Sequence, residues 1–87
     1  MKKRFFHKEV IIQRGNFANF FILVLSGKAL ILNSKGDKIK NEVLKHQAYG
    51  LVDAIKENRW KNTVVSEKST EILYISRKVL VNNLFAT

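Results

Sequence analysis

Few side chains in this sequence have the type and spacing that metal or cofactor chemistry requires. The two histidines, His7 and His46, stand far apart, and neither has a second histidine or a carboxylate at the spacing of a metal-ligand pair. His46 lies in a segment that is predicted to form a surface turn. The chain has no cysteine, which excludes a thiolate metal site and a disulfide framework. We expect no metal ion and no resident cofactor.

Asp53 and Glu57 are a carboxylate pair four positions apart in a short segment of helical pattern. Glycosidases use a pair of carboxylates as their catalytic groups, but solvated charges on a helix surface explain this pair more simply. The nucleophile-elbow, P-loop and Cys–His patterns are missing from the sequence. The sequence therefore predicts a protein that is not an enzyme.

The run Arg59-Trp60-Lys61 is the part of the chain best suited to ligand binding, since two cations flank an aromatic ring. One interpretation makes Trp60 a stacking platform for a base or another flat ligand, with Arg59 and Lys61 beside it. The other makes Trp60 a hydrophobic plug in a closed cavity. Phe17, Phe20 and Phe21 are interpreted as core or strand-face residues rather than as a binding stripe.

The net charge of +9, from sixteen Lys and Arg against seven Asp and Glu, is the strongest bulk feature of the chain. A basic surface attracts nucleic acid, acidic lipid or a phosphorylated small molecule. The cations are scattered along the chain, however, and twelve of them are Lys, whereas Arg is favoured for bidentate contacts to phosphates and bases. This pattern favours a solvated lysine-rich surface, and nucleic-acid binding is not expected.

The length of 87 residues suits a single domain, residues 1–87. Its most apolar run, Phe20 to Leu25, is far shorter than the roughly 20 residues that cross a bilayer, and no signal-peptide core follows the basic start of the chain. We expect a cytoplasmic location and no membrane insertion by this chain.

Apolar periodicity typical of strands dominates the sequence. The predicted strands are Glu9 to Gln13, Phe20 to Leu25, Lys28 to Asn33, Lys38 to Leu44, Asn62 to Ser66 and Thr70 to Ile75. The run Phe20 to Leu25 suits a strand buried on both faces. Two helices are predicted, Leu51 to Asn58 and Ser76 to Phe85, the second with Ser76 as its N-cap. Glycines stand at breaks between the runs. The pattern predicts a mainly β fold, a small barrel or roll.

Several motifs in this order resemble the cyclic-nucleotide-binding domain of Crp-like regulators, protein kinase regulatory subunits and gated channels. The segment from Glu9 to Asn16 looks like the opening strand of that family and its Gly-(Asp/Asn) turn. The run Phe21 to Ala29 is similar to its (Tyr/Phe)-x-Ile-x-x-Gly-x-(Val/Ala) strand pair. Leu44 to Gly50 resembles the approach to the phosphate-binding cassette, and Thr70 to Ser76 resembles the last strand.

The resemblance covers about residues 9–84 and implies a single small β-roll, a jelly-roll-like double-stranded β-helix with a short internal helix and a C-terminal helix. It also implies a site in the cassette, where a helix N-terminus faces the cyclic phosphate. In this chain the corresponding residues are Tyr49, Gly50, Leu51, Val52, Arg59, Trp60, Lys61, Asn62 and Thr63.

Two family contacts are replaced in this cassette. The family places a Glu for the ribose hydroxyl directly after the Gly, where this chain has Leu51, and an Arg for the phosphate at the position of Trp60. Asn62 stands where a small residue is usual. Arg59 and Lys61 flank the lost Arg, but neighbours on an extended strand point to opposite faces. Because Leu51 and Trp60 are both apolar, we expect them to face one dry cavity, with Trp60 as a plug.

The resemblance implies a non-enzymatic regulatory, ligand-sensing module with weak or no binding of cAMP or cGMP. The ligand would be a small anion or a nucleotide. The alternative is a structural or protein-interaction domain that kept the roll and lost the ligand, and a basic nucleic-acid-binding module ranks behind both. Such domains usually continue into a longer helix and an output domain. We therefore expect the chain to be a fragment of a larger protein, or to act on another domain of a parent chain or on a protein partner.

Overall fold

The computed structural model describes residues 1–85 and contains two four-stranded antiparallel sheets and two short helices. The elements are β1 (Lys2–Phe5), β2 (Val10–Ile12), β3 (Phe20–Ser26), β4 (Ala29–Leu32), β5 (Lys38–Val43), β6 (Ala48–Tyr49), α1 (Leu51–Lys56), β7 (Thr63–Ser66), β8 (Thr70–Ser76) and α2 (Arg77–Phe85). One sheet has the order β1-β8-β3-β6 and the other β2-β7-β4-β5. Strands that follow each other along the chain mostly lie in different sheets, which is the arrangement of a β-roll. The expectation of a mainly β roll is confirmed.

Alternation along the strands places the core between the two sheets. Ile22 and Val24 of β3 and Ile72 of β8 are completely buried on the inner face of one sheet, and Val64 of β7 is completely buried in the other. The intervening residues of β3 are only half-buried, although α1 packs against this strand. The expectation that β3 is buried on both faces was therefore wrong, since only its inner face is fully covered.

The six predicted strands are all present, with ends that agree to within two residues. Two strands were missed: β1, which consists mainly of exposed basic residues, and β6, which has two residues. Helix α1 ends at Lys56, earlier than predicted, because Glu57 adopts a left-handed conformation (φ 58°). Ser76 caps α2 as predicted, with its Oγ accepting a hydrogen bond from the Val79 N–H at 3.2 Å.

The turns divide between the two ends of the roll. Strands β1 and β3 run antiparallel to β8, so both end where β8 begins. Strand β6 runs antiparallel to β3 and therefore begins at the same end. The turns β1–β2, β3–β4, β5–β6 and β7–β8 thus meet at one end of the roll. The turn at Gly27 shows how close the packing is, since a Cβ there would lie 2.7 Å from Thr70 Oγ1. The opposite end carries the β2–β3 loop, the β4–β5 turn and the segment with α1, and the candidate site lies there.

Candidate ligand-binding cassette

Gly50 joins β6 to α1 and forms the N-cap of the helix, with φ 91°. This left-handed conformation favours glycine. The carbonyl oxygen of Gly50 accepts the first helical hydrogen bond from the Ala54 N–H at 2.9 Å, and no side chain caps the helix. Ala54 is completely buried, which anchors the six-residue helix on the roll. The first N–H groups of α1 are thus free of side-chain caps, as an anion site at a helix N-terminus needs.

Trp60 is only 3% exposed and belongs to the hydrophobic core. Its ring centroid lies 5.7 Å from that of Phe20 and 6.1 Å from that of Tyr49. The six-membered end of the indole lies against Gly50, such that a Cβ added there would be 2.6 Å from Cζ3. Trp60 therefore fills the space between the sheets directly beside the start of α1.

The backbone of Trp60 is fixed as firmly as its side chain. Its N–H donates to the carbonyl of Asn16 at 2.8 Å, and its carbonyl accepts from the N–H of Gly15 at 2.9 Å. Both partners belong to the β2–β3 loop. The side chain at position 60 is thus an apolar ring that offers no charged hydrogen bond to an anion.

Leu51 and Val52 begin α1 and lie on its outer side, 41% and 61% exposed. The expectation that Leu51 shares a dry cavity with Trp60 was wrong. Leu51 is 41% exposed, and the residue of α1 that is buried against the roll is Ala54. Leu51 still brings no acceptor for a ribose hydroxyl, because its side chain is a hydrocarbon.

Arg59 points away from the core and is held by the β2–β3 loop. Its guanidinium donates to the carbonyl of Gly15 at 2.8 Å and lies over the ring of Phe17, 3.9 Å from the centroid. Phe17 and Arg59 also pair as an isolated antiparallel bridge. Arg59 and Trp60 therefore lie on opposite sides of the chain, as alternation predicts. Phe17, interpreted as a core or strand-face residue, is 55% exposed and stacks on Arg59 instead.

The remaining predicted site residues lie at the edge of the cassette. Lys61 is exposed, and Asn62 and Thr63 are half-buried. Thr63 Oγ1 accepts a hydrogen bond from the Arg14 N–H at 3.2 Å, which ties the start of β7 to the β2–β3 loop. Arg59 and Lys61 are both exposed, so neither side chain occupies the buried position of Trp60.

An open cleft of about 550 Å³ lies on the side of Trp60 that faces the β2–β3 loop. Its walls are β2, the loop from Gln13 to Phe20, and Arg59 with Trp60. No local sequence pattern indicates this cleft, because Phe17 and Arg59 are far apart along the chain and meet only through the fold.

The other candidate residues have structural roles. Asp53 accepts a hydrogen bond from Asn58 Nδ2 at 3.2 Å, and Glu57 forms a salt bridge with Arg77 at 3.4 Å. His7 contacts the carbonyl of Glu67 through Nδ1, and His46 occupies a turn with φ 70°. Across residues 1–85, no three potential ligands among His, Cys, Asp and Glu come together around a metal position.

Comparison with known proteins identifies the family. The family model described as cyclic nucleotide-binding domain matches residues 2–86. None of the helices in the described residues has the length and apolar character needed to span a membrane. No curated protein has a sequence that matches this chain.

Solved structures with the same fold are distant in sequence. A cAMP-bound PfPKA-R (residues 141–441) is 20% identical, with a TM-score of 0.86 over 98% of this chain and 29% of that one. A putative cyclic nucleotide binding protein from Ruegeria pomeroyi is 13% identical, with a TM-score of 0.88 over 97% and 38%. The regulatory domain of Toxoplasma gondii PKA with cAMP is 17% identical, with a TM-score of 0.86 over 98% and 34%.

This chain spans well under half the length of each of those structures. The family match covers nearly all of it, including β1, which extends the resemblance beyond residues 9–84. The roll, the glycine-capped α1 and the segment after it all lie within that match. The chain belongs to the cyclic nucleotide-binding domain family.

Proposed function

We propose that this domain is a non-enzymatic regulatory module whose own cassette binds cAMP and cGMP weakly or not at all. The buried Trp60 is the observation that carries the proposal. A cyclic nucleotide needs a cation for its phosphate and an acceptor for its ribose, and the corresponding positions hold the hydrocarbon side chain of Leu51 and an indole packed on Gly50. The absence of cysteine suits a reducing compartment such as the cytoplasm.

Simple energetics support weak binding. Loss of a charged hydrogen bond costs about 1.5–3 kcal/mol, which corresponds to a roughly ten- to hundredfold loss of affinity. A ligand entering the space beside α1 would also have to displace the indole of Trp60 from its contacts with Phe20 and Tyr49. The N–H groups of α1 alone would have to compensate for both costs.

Cyclic nucleotides are nevertheless the ligands to test first, because two of the similar structures are described as bound to cAMP. Isothermal titration of the wild-type chain with cAMP and with cGMP should give no saturable heat up to millimolar concentration. Saturable binding at micromolar concentration would overturn the proposal.

A pair of variants tests the cause of the weak binding. Leu51→Glu combined with Trp60→Arg restores both family side chains, and we expect it to gain affinity for cAMP by at least about tenfold. Leu51→Glu combined with Trp60→Gln is the matched control, since it opens the same space without a cation. Far-UV circular dichroism must show that both variants remain folded. Equal binding by the two variants would show that the cation at position 60 does not limit affinity.

A protein-interaction domain is the second candidate, and the outer side of α1 favours it. Leu51, Val52 and Ile55 expose apolar side chains there, 41%, 61% and 38% exposed. Such a surface suits contact with a partner or with another domain of a parent chain. This candidate would be favoured over ligand sensing if the folded wild-type chain gives no binding heat with cAMP or cGMP, and if the double variant with Trp60→Arg gains no affinity for cAMP.

A further inference from the structure

The end of the roll opposite the cassette brings four turns together. We call this surface the turn end: residues 6–9 between β1 and β2, 27–28 between β3 and β4, 44–47 between β5 and β6, and 67–69 between β7 and β8. The seven residues of β3 separate it from the β2–β3 loop, whose backbone holds Trp60. No part of the cassette contributes to it.

Backbone hydrogen bonds make the turn end a fixed platform. The Lys8 N–H donates to the carbonyl of Ser66 at 2.8 Å, and the Glu67 N–H donates to that of Lys28 at 3.2 Å. The Val24 N–H donates to the carbonyl of Gln47 at 3.0 Å, which ties the turn at 44–47 to the end of β3. The side chains of the four turns are therefore presented at set positions.

The basic side chains of this surface are largely available to a partner. Lys8, Lys45 and Lys68 are exposed, and none of them forms a salt bridge within residues 1–85. Glu67 pairs with Lys28, whose Nζ lies 3.0 Å from its carboxylate and 3.4 Å from that of Glu42. The carboxylate of Glu9 accepts the Phe6 N–H at 2.8 Å. The platform thus presents unpaired positive charge to solvent.

Two apolar side chains stand among these lysines. Phe6 is 60% exposed and Leu44 is 45% exposed, although neither packs in the core. An open cleft of about 450 Å³ separates three of the turns, and its walls include Leu44, Lys28, Lys45 and Lys68. Exposed apolar side chains beside unpaired lysines suit a surface whose outer layer is negatively charged and whose next layer is apolar.

We propose that the turn end docks on an anionic lipid bilayer. Phe6 and Leu44 rest in the boundary between headgroups and acyl chains, and the lysines contact lipid phosphates and carboxylates. The cleft between the turns accepts a headgroup. A nucleic acid fits this surface less well, because it offers no apolar layer for Phe6 and Leu44, and because the four turns contain no Arg for bidentate contacts.

Vesicle co-sedimentation tests the proposal on the intact chain. The probes are vesicles of phosphatidylcholine alone and vesicles of phosphatidylcholine mixed with phosphatidylserine. Only the second should bind the wild type at low salt, and rising salt should weaken the binding. Each lysine near the surface contributes about fivefold to partitioning, so the loss of three lysines weakens it by about 100-fold. Because glutamate is also repelled by anionic lipid, Lys8→Glu with Lys45→Glu and Lys68→Glu should weaken binding by at least that factor.

The matched control places the same charge change elsewhere. Lys35→Glu with Lys56→Glu and Lys61→Glu alters three exposed lysines outside the turn end and should weaken binding far less. Phe6→Ser with Leu44→Ser keeps every charge and should also reduce binding. All three variants change exposed side chains and can be checked for folding by circular dichroism.

Three outcomes would overturn the proposal: no binding to the phosphatidylserine vesicles, an equal loss in both triple-lysine variants, or full binding by the Phe6→Ser, Leu44→Ser variant. Retention of single-stranded RNA with no vesicle binding would assign the surface to nucleic acid instead. The result is independent of cyclic-nucleotide titration, because the turn end and the cassette lie at opposite ends of the roll.

Discussion

The indole of Trp60 lies directly on the backbone of Gly50, with no room for a side chain between them. A Cβ at Gly50 would be 2.6 Å from Cζ3 of Trp60, closer than real Cβ contacts come. Gly50 is the N-cap of helix α1, and Trp60 is the residue that sequence spacing predicts at the position of the family's phosphate Arg. Their contact places the ring of Trp60 in the hydrophobic core, beside the start of α1.

Gly50→Ala should therefore destabilise the domain by about 2–4 kcal/mol. About 1–2 kcal/mol comes from the left-handed backbone, and the rest comes from overpacking against the buried indole. Gly36→Ala is the matched control, since Gly36 has φ 84° but nothing within 4 Å of an added Cβ, and it should cost only the conformational part. Urea unfolding, followed by circular dichroism, measures both. Equal losses in the two variants would contradict the contact.

The strands that sequence pattern predicted are those whose apolar residues alternate or run together. Strand β1 escaped prediction because Lys2, Lys3 and Arg4 look like a solvated start of the chain. Its pairing depends on a distant strand: Lys2 and Arg4 both lie near the carboxylate of Glu71 in β8, at 3.8 and 3.6 Å. The pattern of neighbouring residues in the sequence cannot indicate a contact between residues so far apart along the chain. The same limit applies to β6, whose two residues are too few to show a period.

The cassette was predictable in composition but only partly in arrangement. Its position in the chain was inferred from Gly50 and the strands on either side, and the replacement of the family Arg by Trp60 stays a prediction from spacing. The side of α1 on which Leu51 lies was not, because a six-residue helix is too short to define a buried stripe from its sequence. The stacking of Arg59 on Phe17 likewise depends on how the β2–β3 loop folds.

Trp60→Ala should cost about 3–5 kcal/mol, the usual range for removal of a buried aromatic ring. Phe6→Ala is the control, because Phe6 is 60% exposed and its loss should change stability by less than about 0.5 kcal/mol. As Trp60 is the only tryptophan, its fluorescence should be blue-shifted in the folded wild type and shift to the red on unfolding. Emission typical of a solvated indole in the folded chain would contradict its burial.

A double-mutant cycle should detect the stacking of Arg59 on Phe17. Arg59→Ala, Phe17→Ala and the double variant should give a coupling free energy of about 0.5–1 kcal/mol, the value for an exposed cation–π pair. Arg59→Lys should recover only part of it, since an ammonium does not stack as a planar guanidinium does. Additive effects of the two single substitutions would show that the rings and charges do not interact in solution.

The carboxylate of Glu42 should make stability depend on acidic pH. The ammonium of Lys38 lies 2.9 Å from its Oε2, and this ion pair, with the nearby charge of Lys28, holds the pKa of Glu42 below its ordinary value of 4.5 despite some opposing desolvation. Since the folded-state pKa is the lower one, the stabilisation is complete above 4.5 and is lost as pH falls through the folded value.

Glu42→Gln should accordingly be less stable than the wild type at about pH 6, and the difference should shrink at about pH 3. Lys38→Gln is the matched control: it removes the principal cause of the shift, so the pKa of Glu42, followed by NMR titration, should rise towards 4.5. A stability difference that stays constant between these pH values would show that the Lys38–Glu42 pair does not favour the charged carboxylate. An unchanged carboxyl titration in Lys38→Gln would assign the shift to Lys28 instead.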